Sequence, residues 1–250
     1  VTRKVSASTV RRLSHYLRIL EALEREGEPT LSSTELARAA DTTAAQVRKD
    51  LSLFGSFGKR GMGYRVADLK RHILGILGLE RPWRVVMAGA GRIGAALFEY
   101  GNFRRRGFEI VAVLDTDPAK IGTRWGEVTI RPASELPRVI RDEGVEILIL
   151  TVPNEAAQTV ADAAIAAGVR GILNFAPVQL RVPPHVFVQD VNMVMELEAL
   201  SFDLSRAPAA PSPETASTST STSAPRDAAP GVGSAPPPRL GFTPTPGPRP

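Results

Sequence analysis

In RVVMAGAGRIGAAL (84–97), glycines 89, 91 and 94 stand at G-x-G-x-x-G spacing between an apolar run and a stretch of small, helix-forming residues. On a strand–turn–helix such glycines permit a tight turn, close approach of a pyrophosphate and close helix packing. The backbone N–H groups of Gly89, Ala90, Gly91, Arg92, Ile93 and Gly94 at the helix start can then receive phosphate oxygens. By itself the motif is a weak signal. Its context strengthens it, because a second apolar run ends in Asp115, 24 residues after Gly91, about where an acid accepts the ribose hydroxyls of a dinucleotide. A carboxylate there repels a 2′-phosphate, which favours NAD over NADP. Thr151-Val152-Pro153 and Asn174-Phe175-Ala176-Pro177 end two later strand-like runs and should lie at the carboxyl edge of one sheet, where open α/β folds bind ligands. Their apolar atoms suit an uncharged dihydronicotinamide better than the cationic oxidised ring, so the expectation is a preference for NADH.

The cations lie elsewhere. The chain of 250 residues has a formal charge of +5, and residues 1–80 hold 14 Lys/Arg against 9 Asp/Glu while 81–206 hold 14 against 15. A basic first segment hints at a polyanionic partner. Within it, Thr43 and Gln46 repeat the capping signature set by Ser32 and Glu35, so two short helices follow one another as in a helix-turn-helix. On the second of them Val47, Leu51 and Phe54 share an inward face. Ala45, Gln46 and Lys49 face outward, with Arg48 on the flank and Ser52 near the end. Small residues allow close approach to base edges, Gln can bond adenine, and Arg or Lys can take guanine or phosphate. The following GSFGKRGMGYRV carries glycines around Lys59, Arg60 and Gly61, with Tyr64 opening a second strand. It reads as a wing hairpin whose Arg60 enters a narrow minor groove.

The elements that must position these residues divide the chain into an expected winged-helix domain (1–80), a Rossmann-like doubly wound parallel-sheet domain (81–190), a C-terminal helix (191–206) and a disordered Pro/Ser/Thr/Ala-rich tail (207–250). The first helix is drawn by Leu13, Tyr16, Leu17, Leu20 and Leu23 at helical spacing and ends at Gly27 and Pro29. VVMAG, IVAVLD, ILILTVP, GILNFAP and VFVQD are the strand-like runs, with EAAQTVADAAIAAG helical between two of them, an alternation that argues for a parallel α/β sheet. VNMVMELEALSFDL is an amphipathic helix that can pack on its own domain or on another subunit. The tail holds 12 of the 21 prolines and too few apolar residues to offset the entropy of ordering. Cysteine is absent, which removes disulfides and thiolate chemistry. The N-terminal stretch has no apolar signal-type run and nothing approaches a membrane span, so the expectation is a cytoplasmic protein with no membrane and no metal partner.

Hydride transfer usually recruits a positioned acid or base, and His15, His72 and His185 stand in no partnered constellation. The dinucleotide is therefore expected as an effector, not as a redox substrate, in a protein that is not an enzyme. QVRKDLSLFGSFGKRGMGY, GAGRIGAAL, VLDTDPAKIG, TVPNEAAQ, GILNFAPVQL and VNMVMELEALSF together resemble the redox-sensing repressor family Rex across residues 8–206. The resemblance implies a homodimer on double-stranded operator DNA, with an NAD(H)-binding domain and a C-terminal helix exchanged between subunits, from which NADH releases the operator. It also implies a network of an Arg on the first helix, a Tyr after the glycine-turn helix and an Asp before the exchanged helix. Arg18 and Tyr100 match the first two; Asn192 stands at the third, where it can accept a hydrogen bond but form no ion pair. Two rival readings stay beside this one. One is an NAD-dependent oxidoreductase with an incidental basic segment. The other is a DNA-binding protein gated by an acyl-CoA or adenine nucleotide.

Overall fold

The computed structural model describes residues 5–55, 57 and 63–206. The expected wing tip with Lys59, Arg60 and Gly61, and the segment 207–250, lie outside them. Ser6 caps the first helix, α1 (Ala7–Glu26), by accepting from the Thr9 N–H, and Gly27 closes it in the left-handed conformation at φ 80°. A two-residue strand, β1 (Thr30–Leu31), leads to α2 (Ser33–Ala39), opened by the reciprocal capping box of Ser32 and Glu35. Thr43 caps α3 (Ala44–Ser52) by accepting from the Gln46 N–H. The Gln46 side chain, expected to return the bond, turns to Asp50 instead.

Tyr64–Arg65 forms β2, antiparallel to β1 with Leu31 opposite Tyr64. Among the described residues the partner of β2 is the strand before α2, while the turn of the expected hairpin lies outside them; Val66 already begins α4 (Val66–Ile76). Gly63 marks the close approach, because at φ 71° a Cβ there would lie 2.5 Å from the Leu31 carbonyl oxygen. The faces of α1, α2, α3 and α4 meet in one apolar core, with Leu13, Tyr16, Leu17, Leu20, Leu36, Val47, Leu51 and Ile73 buried. Each such side chain contributes roughly 1.5–3 kcal/mol on burial.

The second half comprises β3 (Trp83–Ala88), α5 (Arg92–Glu99), α6 (Asn102–Arg105), β4 (Phe108–Asp115), β5 (Arg124–Trp125), β6 (Val128–Pro132), a 3₁₀ turn (Ala133–Glu135), α7 (Leu136–Asp142), β7 (Ile147–Leu150), α8 (Asn154–Ala167), β8 (Gly171–Asn174), β9 (Phe187–Asp190) and α9 (Met193–Arg206). Its seven strands run in the order β5-β6-β4-β3-β7-β8-β9. Every pair is parallel except β5 with β6. The chain winds outward from β3 through β4 to β6 and then returns to β7 on the other flank of β3, so the carboxyl ends of β3 and β7 frame the switch point. Both sheet faces are apolar, as buried parallel strands require. Val86, Ala88, Leu114, Leu148 and Leu150 pack with α7 and with Ala157, Ala161 and Ala164 of α8, small residues that let that helix lie close. Val85, Met87, Val113 and Ile149 build the opposite face with Leu97 and Phe98.

Residues up to Glu198 form one compact unit, and Ala199 opens a second. In α9 no residue is buried, and Met193, Val194, Leu197, Leu200, Phe202 and Leu204 are each more than half exposed.

Candidate functional site

At the switch point lies a cleft of about 470 Å³ lined by Gly89, Gly91, Asp115, Lys120, Thr151 and Pro153 among others, a size typical of small-molecule sites. Gly89 and Gly91 line it, and with Gly94 behind them they shape its turn for different reasons. At Gly89, φ is 102° and a Cβ would lie 2.5 Å from the Thr151 carbonyl oxygen. At Gly94 a Cβ would run into the carbonyl of Gly89, so α5 can close on β3 only without a side chain there. At Gly91, N-cap of α5, a Cβ would meet nothing within 4 Å. Fold packing therefore explains the first and third glycines and leaves the second open toward the cleft, where a phosphate can approach the helix N-terminus. The Thr151 hydroxyl lies 3.0 Å from the Ala88 carbonyl and 2.8 Å from that of Gly89, pinning the turn to the end of β7.

Asp115 ends β4 beside this turn. Its carboxylate accepts from the Ala90 N–H at 2.6 Å, the Asp117 N–H at 2.8 Å and Lys120 Nζ at 3.2 Å. Burial by itself would push the acid up, but these N–H donors and the lysine charge outweigh it and hold the group below the usual carboxylate range. An anion with spare acceptor capacity is thus fixed at the mouth of the glycine turn, which suits a ribose diol and repels a ribose phosphate. Lys120 is missed by the sequence reading. Its signal is the Asp-Pro turn before it, in which Asp117 accepts from the Ala119 N–H and folds the chain back toward Asp115.

The remaining expected cofactor residues divide. Val152 joins Thr151 and Pro153 in the cleft lining. Asn174 is 1% exposed, and its carboxamide is used internally: Nδ2 donates to the Val178 carbonyl and Asp190 Oδ1, and Oδ1 accepts from the Ala176 N–H. Its place is to shape the loop at the end of β8, with Phe175 half-buried on the sheet, Ala176 buried and Pro177 exposed. Ala90, Arg92, Ile93 and Gly94 surround the turn; Ile93 is 44% exposed.

On α3, Ala45, Arg48, Lys49 and Ser52 are exposed and Gln46 is half-buried. Arg48 Nη1 donates to Ser33 Oγ at 2.9 Å, tying α3 to α2. Ser52 donates to the Lys49 carbonyl. Tyr64, a DNA-binding candidate on the expected wing, lies in the helical core at 9% exposure, and burial raises its phenol. The inward face of α3 holds a residue the sequence reading passed over. Asp50 is 1% exposed and accepts from Arg12 Nε and Nη2 at 2.6 and 2.7 Å, Gln46 Nε2 at 2.8 Å and Tyr16 Oη at 3.0 Å. Burial would raise this acid; the bonds from Arg12, Gln46 and Tyr16 reverse the direction and keep it below the usual range.

Of the expected interdomain residues, Arg18 is exposed on α1 and Tyr100 is 53% exposed, edge-on to Phe103 at 5.5 Å. Asn192 caps α9, its Oδ1 accepting from the Val194 and Met195 N–H groups. Among the described residues these three share no hydrogen bond. Between the helical half and the sheet half, Arg106 forks on Glu21 of α1 at 2.7 and 2.8 Å, and the Trp83 indole N–H donates to the Gly78 carbonyl at 2.8 Å. Neither His15, His72 nor His185 lines the cleft; His72 is bonded to the Asp68 carbonyl and meets Phe57 edge-on. Among the described residues no helix is long and apolar enough to cross a membrane, and no group of three or more His, Cys, Asp or Glu could hold a metal ion.

Residues 4–52 match the family described as "Putative DNA-binding protein N-terminus", and residues 80–178 match the family described as "CoA binding domain". A protein of Desulforamulus reducens named redox-sensing transcriptional repressor Rex is 46% identical over 202 residues, covering 81% of this chain and 96% of that one. Its namesake from Carboxydothermus hydrogenoformans is 48% identical over 203 residues, covering 81% and 98%. Among solved structures, RSP, a Rex-family repressor, matches with a TM-score of 0.75 at 33% identity, covering 80% of this chain and 94% of that one. RSP in complex with β-NAD⁺ and operator DNA matches at 0.78 and 34% identity, covering 80% and 93%, and its complex with β-NADH at 0.73 and 33%, covering 80% and 94%. At this identity, over nearly the full length of those relatives, the chain belongs to the Rex family of redox-sensing transcriptional repressors.

Proposed function

We propose that this chain represses transcription by binding operator DNA as a homodimer, that NADH entering the cleft releases the operator, and that the NADH/NAD⁺ ratio is the signal. One observation carries the reading: a glycine turn open only at Gly91, with Asp115 fixed beside it, stands in the same compact unit as a helical pair whose outer face is Ala45, Arg48, Lys49 and Ser52, with Gln46 half-buried at its edge. The complexes of RSP with β-NAD⁺ and operator DNA and with β-NADH support both ligands. The match to a CoA-binding family reflects the shared phosphate-binding turn. Against CoA itself stands Asp115, whose charge opposes the 3′-phosphate that CoA carries on its ribose.

In the turn Gly89–Gly94, the N–H groups from Gly91 onward at the start of α5 would hold the pyrophosphate, those of Gly89 and Ala90 being taken by the Leu114 carbonyl and Asp115, and Asp115 would hold the adenosine ribose. Thr151, Val152 and Pro153 would flank the nicotinamide end, with the loop Asn174–Pro177 shaping that side. The coenzyme supplies occupancy that differs with oxidation state, and no hydride is passed; the protein acts as a switch, not a catalyst. Thr43, Ala45, Gln46, Arg48, Lys49 and Ser52 present α3 to the major groove, and Tyr64 acts through packing. Lys59, Arg60 and Gly61, outside the described residues, are assigned to the minor groove on their chemistry.

The exposed apolar side of α9 supports exchange with a second copy, as a cytoplasmic homodimer with boundaries near 80/81, 190/191 and 206/207. DNA favours one spacing of the paired α3 helices and NADH another, so each ligand biases a two-state dimer by its differential affinity, typically about 1–3 kcal/mol. Asn192 keeps the helix-capping capacity of an aspartate and lacks its charge. The test is a mobility shift on a duplex that the protein itself selects from a random pool, with NADH, NAD⁺ and NADPH added separately. Release by NADH at lower concentration than by the other two is expected. Retention of the duplex at saturating NADH overturns the reading.

A further inference from the structure

The four-donor site around Asp50 does more than join two helices. Arg12 and Tyr16 come from α1, one helical turn apart, and clamp the carboxylate from the core side. The fourth donor, Gln46, comes from the same helix as Asp50 and from its half-buried flank, four residues earlier, where the two side chains are neighbours. A carboxylate only accepts, so the end of the Gln46 carboxamide that faces it must be the amino group. The carbonyl Oε1 is thereby turned away from the core, and among the described residues it has no hydrogen-bond partner. A free glutamine presents either end to a base edge with equal ease; one held by its amino group presents an acceptor.

We propose that Asp50 is a specificity-positioning residue, which orients Gln46 so that its Oε1 reads an amino donor, adenine N6 or cytosine N4, at one base pair of each half-site in the major groove. The inference rests on the proposal that α3 meets DNA. It differs from a purely structural role in what it alters, since an anchor of the helix affects every contact alike while an orienting group affects one. The Arg12 fork supplies the rigidity: its Nη2 is 3.2 Å from Thr9 Oγ1, so the guanidinium and hence the carboxylate are held on more than one side. In the major groove an acceptor discriminates against guanine and thymine, which offer N7, O6 and O4 acceptors at the same edge. Misorientation of a single neutral hydrogen bond corresponds to about 3- to 10-fold in preference.

The experiment is selection from a randomised duplex pool, followed by sequencing, with the full-length wild type, Gln46→Ala and Asp50→Asn. Wild type should prefer adenine or cytosine at one strand position per half-site. Both variants should lose that preference by about 3- to 10-fold while the ranking at the other positions stays. Gln46→Ala leaves the Arg12–Asp50–Tyr16 contacts in place. Should Asp50→Asn fail to fold, the wild-type Gln46 side-chain amide is read directly by nuclear magnetic resonance, its signals identified by their loss in Gln46→Ala. Downfield amide protons protected from exchange uphold the proposal, and shifts of a free glutamine overturn it. An even loss across all positions in Asp50→Asn, or an unchanged profile in Gln46→Ala, also overturns it. Failure of wild type to select any sequence is a different outcome, which removes the DNA-binding reading and this inference with it.

Discussion

Gly91 and Gly94 occupy the same motif and should respond to alanine in opposite ways. At Gly94 the added Cβ would collide with the Gly89 carbonyl and lie 3.2 Å from Thr151 Oγ1 and 3.3 Å from Met87 Sδ, with Met87 itself fully buried. Overpacking of this kind costs about 1–3 kcal/mol, which lowers the melting temperature by roughly 2–4 °C per kcal/mol in a chain of this size. At Gly91 the Cβ meets no atom within 4 Å and φ is −83°, ordinary for any L-residue. Alanine there is neutral or stabilises by about 0.4–1 kcal/mol through the unfolded chain. The same methyl group takes up the space through which a pyrophosphate reaches the α5 N–H groups. An overlap of about 1–3 kcal/mol then falls on binding, as roughly 5- to 150-fold weaker NADH. Thermal unfolding and NADH titration by calorimetry read the two quantities separately. Gly91→Ala should keep its melting temperature, lose NADH affinity and hold its operator at coenzyme concentrations that release wild type, whereas Gly94→Ala should lose stability first. A Gly91→Ala protein that binds NADH as tightly as wild type, or unfolds as early as Gly94→Ala, refutes this account of the cleft.

Lys120→Ala removes the cation that offsets Asp115, so binding assays should find NADPH discriminated against more strongly than in wild type, and Asp115→Asn should narrow the gap. The Tyr16 phenol is pushed up to about 12, first by burial and then by its bond to Asp50, against about 10 in the unfolded chain. Its proton is bound more tightly in the folded state, so this contribution is complete below pH 10 and lost as pH rises through 12. Denaturant titrations should show a decline on the order of 2 kcal/mol over that window that is absent in Tyr16→Phe. Leu197→Glu combined with Leu200→Glu on the exposed side of α9 should yield monomers in sedimentation experiments and weaken operator binding. A double-mutant cycle of Glu21→Ala and Arg106→Ala should return a coupling of about 0.5–1 kcal/mol for this partly exposed fork.

The sheet is legible in the sequence because its strands are continuous apolar runs and Ala157, Ala161 and Ala164 repeat at helical spacing beside them. The β5–β6 pair is not: Arg124–Trp125 is two residues long, its turn depends on Gly126 at φ 54°, and Pro132 closes the second strand. α7, just beyond, starts with a proline in its first turn and spans only seven residues. The glycine turn and Asp115 are readable because backbone conformation and spacing carry them, while Lys120 reaches the cleft only through the fold of its turn. Asn174 reads as a ligand contact from its place at a strand end, yet its amide is consumed by the loop. Asp50 sits among Arg48, Lys49 and Ser52 in what reads as a solvated run, and only the packing of α1 on α3 brings Arg12 and Tyr16 over it. Tyr64 misleads for the same reason, since its burial depends on pairing with a strand 33 residues earlier in the register.

If a single equilibrium links the two sites, the linkage must be reciprocal: whatever factor NADH imposes on operator affinity, the operator must impose on NADH. The decisive measurement is the NADH dissociation constant of the whole chain, alone and with saturating selected duplex. NADH should bind about 5- to 150-fold more weakly in the presence of DNA, a factor equal to the loss of DNA affinity at saturating NADH. An NADH affinity indifferent to the duplex contradicts it.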